Sequence, residues 1–168
     1  RGNYIRQGKQ DVCFFGEIRR LPSWFLYHMW KETIHLSGEK FYETHLTDGL
    51  EEFNLGHTSM LVSNDIRAML ELLSLAPKEQ SLEEAGELMN GLTNSHPKRV
   101  TELLMGCKSV KAKRLFLLLA ELSGHEWTKK IDNKKINLGS GVRHLVPGGR
   151  LNQKYQITVP GSLYRGEG

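Results

Sequence analysis

Cysteine is scarce in this chain. Its 168 residues hold two, Cys13 and Cys107, and neither has a CxxC partner, which excludes the metal sites built on that pair. Both read as small buried apolar residues, compatible with a reducing cytoplasm. Long apolar runs are missing too. None approaches the roughly 18 residues of a membrane span. No signal-peptide pattern opens the chain, so no membrane association is expected and the cytoplasm is the expected location. Catalytic patterns are equally thin. Gly139-Ser140-Gly141 continues as Val142-Arg143-His144, which is neither GxGxxG nor a Walker loop, so its glycines read as a turn. His125-Glu126 begins like HExxH, but Lys129 stands where the second ligand belongs. There is no GxSxG elbow, and the seven histidines lack paired ligand spacing. No catalytic residue, metal ligand or cofactor is therefore expected, and the chain does not read as an enzyme. Internal repeats and low-complexity tracts are absent as well.

What is present is a globular composition, 39% hydrophobic and 25% charged, at a length that suits one domain with a single core. The net charge of +4 is unevenly spread. Residues 1–96 hold 9 Lys/Arg against 14 Asp/Glu, whereas residues 97–154 hold 13 against 4. An acidic first half and a basic segment point to an acidic partner for the latter, unless the two parts face each other in the fold.

Along the chain, Val12–Gly16 reads as a buried strand. Pro22–Trp30, with Trp24, Phe25, Tyr27 and Trp30, reads as a short helix or an aromatic loop pinned on the core. Lys31–Ser37 alternates as a half-buried strand. Phe53–His57 and Met60–Val62 form a hairpin around Gly56 and His57. The period then becomes helical. Ser63 or Asn64 caps a helix reaching about Leu75, and Ser81-Leu82-Glu83-Glu84 is a capping box opening a second. Pro97 sits at the first position of a third, which Gly106 ends. Ser109 caps a fourth that Gly124 stops. Leu115–Leu119 is apolar on every face, so this helix is expected to be buried on more than one side, with Trp127 packing back on it. Strands are expected again at Lys135–Leu138, Arg143–Val146 and Lys154–Val159, joined by glycine turns. The order predicts an α+β fold, with short strands at both ends forming a mixed sheet packed on a central group of about four helices. Residues 1–62 would be the strand-rich part, 63–160 the helical and C-terminal strand part of the same domain, and 161–168 a tail.

The basic residues gather at two helix starts and in one loop. Lys98 and Arg99 open the third helix, and Lys108, Lys111, Lys113 and Arg114 open the fourth. Lys129 and Lys130 follow it. Cations in the first turns oppose the helix macrodipole, so some other demand places them there. Free N–H groups and basic side chains at a helix start also combine into an anion site. The expectation is one exposed cationic surface, made of these eight residues, that binds nucleic acid weakly and electrostatically. The same residues could instead meet an acidic protein surface or form a solvated face.

Residues 109–127 (SVKAKRLFLLLAELSGHEW), 136–141 (INLGSG) and 147–160 (PGGRLNQKYQITVP) closely resemble the C-terminal domain of the AbiE-type antitoxins. These belong to type IV bacterial toxin–antitoxin, or abortive phage infection, systems. The likeness extends upstream through Leu70–Leu73 and the Ser81–Leu92 helix and weakens before about residue 60. It implies an antitoxin that counters a nucleotidyltransferase-like toxin without a stable complex and assists repression of its own operon. Family members usually begin with a winged helix-turn-helix domain, which is absent here. The chain starts at Arg1 without a methionine, which reads as a truncated or proteolysed product. The alternative is that the chain is a scaffold or dimerisation module of a DNA-binding transcriptional regulator. No family motif assigns a role to the eight basic residues.

Overall fold

The switch of period expected near residue 63 is where the large helices begin. A computed structural model describes residues 11–15, 21–37, 41–42 and 48–164 of the protein. The chain divides into two units, residues 1–41 and 42–168. In the first, β1 (Asp11–Phe15) and β2 (Thr33–Ser37) pair in parallel, Asp11 opposite Thr33 and Phe15 opposite Ser37. The connection carries α1 (Ser23–Tyr27), which follows Pro22. Phe25 lies between Phe14 (ring centroids 5.3 Å apart) and Trp30 (4.8 Å), and the Trp30 indole donates to the Phe25 carbonyl at 3.0 Å.

Two expectations need correction in this unit. The aromatic set is not uniformly core. Phe25 and Trp30 are half-buried, but Trp24 is 64% and Tyr27 85% exposed, because only one face of the short helix is covered. Cys13 is exposed, since alternation along β1 sends it to the side opposite Val12 and Phe14. Gly16 and the tail beyond Tyr164 lie outside the described residues.

The second unit opens with an antiparallel hairpin of β3 (Leu50–Asn54) and β4 (Ser59–Ser63), with Phe53 opposite Met60. Gly56 takes a φ of +77° at its turn, a conformation glycine adopts without strain. Four helices follow: α2 (Asp65–Leu75), α3 (Leu82–Asn90), α4 (Pro97–Gly106) and α5 (Val110–Leu122). Three have the side-chain cap their sequences announce. Asn64 accepts from the Arg67 N–H at 3.0 Å, Ser81 from Glu84 at 3.1 Å and Ser109 from Ala112 at 3.2 Å. Such a cap contributes about 1 kcal/mol. Gly124, φ +69°, follows the end of α5.

Helix α5 is the axis of the unit. Every residue from Ala112 to Ala120 is buried, and the helix packs against α2, α3 and a 3-10 turn at Glu126–Lys130. Burying each large apolar side chain of Leu115–Leu119 stabilises the fold by about 1.5–3 kcal/mol before entropy is subtracted. Trp127 returns to within 6.2 Å of the Phe116 ring and donates its indole N–H to the Leu92 carbonyl at 2.8 Å.

Downstream, β5 (Arg143–His144) runs parallel to β7 (Ile157–Val159), and β6 (Arg150–Asn152) pairs antiparallel with it, in the order β5-β7-β6. The strand expected at Lys135–Leu138 does not form. Lys135 closes a 3-10 turn at Asn133–Lys135 and no strand follows; Ile136 alone of that stretch is buried. Strand β7 starts later than expected because Asn152 accepts from the Tyr155 N–H at 2.9 Å and Gln156 has a φ of 51°, which makes a turn of the preceding residues. The class is α+β, with short strands on both sides of the helices. Among the described residues they fall into three small sheets, of which the last is mixed.

Candidate functional site

The eight basic residues singled out by sequence separate into two groups. Three lie in the first turns of α5, and the protein itself uses them. Arg114 is 2% exposed, and its guanidinium donates to three carbonyls: Leu138 at 2.8 Å, Gly141 at 2.7 Å and Gln156 at 2.7 Å. It therefore ties the Gly139–Gly141 loop and the turn before β7 to the central helix. Burial, and then the nearby charge of Arg143, lower its pKa, but an arginine stays charged regardless. Lys111 donates to the Ser74 carbonyl at 2.7 Å and to the Ala76 carbonyl. These are orphan acceptors at the C-terminal end of α2, where the macrodipole favours a cation. Lys113 is 4% exposed, and burial pulls its pKa down, opposed by Cys107. Burial in turn pushes the Cys107 thiol up to about 11. The expectation of Lys113 and Arg114 on an exposed face does not hold, because both side chains are enclosed by the core.

The other five are exposed, though not on one face. Lys98 and Arg99 stand in the first turn of α4, and Arg99 reaches Glu51 of β3 at 3.5 Å. Lys108 follows the far end of that helix, about 15 Å away at 1.5 Å per residue. Lys129 is held by Glu126 at 2.7 Å and faces a separate small cleft shared with Lys154 and Tyr155. Among the described residues, Lys98 and Lys130 come together at a groove of about 970 Å³ between α4 and the 3-10 turns. Lys135, which is paired with Asp132 at 3.0 Å, lines it as well. Pro97, Met105 and Trp127 supply apolar lining, and Glu102 keeps the rim mixed in sign. A second cleft, of about 600 Å³, adjoins the other side of Lys98, where Gly49 and Leu50 meet α4.

Such an arrangement suits binding. Lys98 and Lys130 have no ion-pair partner among the described residues, and the N-cap His96 makes no side-chain cap bond. No group of three or more His, Cys, Asp or Glu that could hold a metal occurs among the described residues. None of their helices is long and apolar enough to cross a membrane. His125, which opens the failed HExxH pattern, is buried. Its Nε2 lies 2.8 Å from the Met89 carbonyl, and its ring stacks on Trp127, so it is a core residue. Sequence reading missed Met105 as a groove residue. The i, i+8 spacing of Pro97 and Met105 on α4 was the available signal for a shared face.

No curated protein and no solved structure matches the chain. A family model described as a transcriptional regulator, AbiEi antitoxin of a type IV toxin–antitoxin system, matches residues 9–160. That span holds the caps, the buried α5 and all three sheets, and on it the chain belongs to the AbiEi antitoxin family of type IV toxin–antitoxin regulators.

Proposed function

We propose that this chain supplies antitoxin activity against a nucleotidyltransferase-like toxin, without a stable complex, and assists repression of its own operon from the cytoplasm. The family match over residues 9–160 is the observation that supports this reading. In this proposal the chain does no catalysis. Its contribution is weak electrostatic contact with nucleic acid through the exposed cations Lys98, Arg99, Lys108, Lys129 and Lys130. Arg114 and Lys113 leave the binding set because they are buried, and Lys111 leaves it because it is committed to α2. With few phosphates neutralised, affinity is low and falls with salt.

Co-expression with the cognate toxin tests the antitoxin reading. Restored bacterial growth is the expected result. Failure to rescue leaves the scaffold or dimerisation module of a DNA-binding regulator as the better account. A salt titration of duplex binding tests the electrostatic part, with binding at low salt that fades by about 200 mM. A flat salt response would remove the phosphate contacts from the proposal.

A further inference from the structure

The same chain carries two features that fit each other. One is the β3–β4 hairpin, every residue of which from Glu51 to Leu61 is exposed. It shows Phe53 (54% exposed) and Met60 on the face that also carries Glu51, Leu61 (64%) and Glu52 on the opposite face, and Leu55 in the turn. Large apolar side chains on a hairpin that pairs with no other strand among the described residues are a surface that proteins normally cover. The other is the groove beside α4, with Pro97, Met105 and Trp127 as apolar lining and Lys98 and Lys130 on its rims. Glu51 has only an exposed 3.5 Å contact with Arg99, and neither lysine has an ion-pair partner among the described residues.

We propose that the groove receives the β3–β4 hairpin of a second copy of this chain, with Phe53 and Leu55 on the apolar lining and Glu51, on the same face as Phe53, against Lys98 and Lys130. The mixed-sign rim, with Glu102 beside Lys98, suits a protein segment better than a run of phosphates. The base of the hairpin lies next to the start of α4, where Gly49 and Leu50 share a cleft with Lys98. Donor and acceptor surfaces therefore sit side by side, and a two-fold arrangement lets each copy give its hairpin and take its partner's. Apolar contact anchors the pair, so its stability survives salt that abolishes phosphate binding. The two occupants compete for Lys98 and Lys130. The inference does not depend on the nucleic-acid reading.

Sedimentation velocity of the full chain over rising concentration tests it, at high salt to suppress phosphate-type binding. The expected result is a monomer that converts to a dimer. Phe53→Glu and Met105→Glu each weaken dimerisation at least about tenfold, as loss of a central anchor does. An equimolar mixture of the two variants recovers part of the association, because one hairpin–groove contact per mixed dimer stays intact. Leu55→Lys, in the loop between the strands, replaces Phe53→Glu if thermal melts show that the latter disturbs the fold. A chain that stays monomeric at every concentration overturns the proposal, as do variants that dimerise like the parent. A mixture that recovers nothing also overturns it, since hairpin would then be meeting hairpin.

Discussion

Two clusters of lysine and arginine that look alike in sequence have opposite fates. Lys98 and Arg99 sit in the first turn of α4, and Lys111, Lys113 and Arg114 in the first turns of α5. The first pair remains in solvent. Of the second trio, Lys113 and Arg114 are buried and Lys111 half-buried, and Lys111 and Arg114 are bonded to backbone carbonyls of distant segments. The difference lies in what surrounds each helix. Helix α4 has exposed positions along its length, whereas α5 is enclosed throughout its middle and any cation there must find acceptors. A basic helix start is therefore evidence of a ligand only after the carbonyls within its reach have been counted.

Substitutions can break or sharpen that contrast, starting with the largest effect. Arg114→Met removes the donor to three carbonyls, of which Gln156 keeps a second donor in the Arg143 N–H, and should cost about 3–5 kcal/mol, read as a large drop in the urea midpoint or failure to fold. An unchanged midpoint would mean that Arg114 is not the clamp described. Lys111→Met removes the cation at the end of α2 and should cost about 1–3 kcal/mol in the same assay.

Glu121 offers a titratable version of the test. Burial raises its pKa, but the hydrogen bonds from Lys154 and Tyr155, with the charge of Lys154, hold it below the ordinary 4.5 overall. A lowered carboxylate pKa stabilises the fold fully above about pH 4.5, and the contribution disappears as pH falls through the folded value. The pair is partly exposed, so Glu121→Gln should remove under about 1 kcal/mol at neutral pH and flatten the acid limb of the stability profile. Smallest for stability are Lys98→Gln, Arg99→Gln and Lys130→Gln, each within about 0.5 kcal/mol. Each should nonetheless lower the magnitude of the salt slope of nucleic-acid binding by about 1 where that residue meets a phosphate. An unaltered slope would clear that residue of the role.

Much of the fold was legible because its signals are local. Asn64, Ser81, Pro97 and Ser109 start helices by bonding or shaping the next few residues, and the unbroken Leu115–Leu119 run requires enclosure on all sides. The unread parts depend on distant partners. Nothing near Lys135–Leu138 reveals that no strand lies beside it, and nothing near Arg114 announces carbonyls at 138, 141 and 156. The exposure of Trp24 and Tyr27 likewise reflects which neighbours are missing, a property of the whole and not of the segment. For the site, sequence located the cations but not their depth, so Lys98 and Lys130 share a groove while their apparent equals are structural.

The three acceptors of Arg114 impose an order on chain synthesis. All are made after the helix they secure, the last of them forty-two positions later. Until Gln156 has emerged from the ribosome, a fixed positive charge sits on the segment that must become the most enclosed in the unit. Any premature stop between Gly141 and Gln156 would leave that charge with two of its three acceptors.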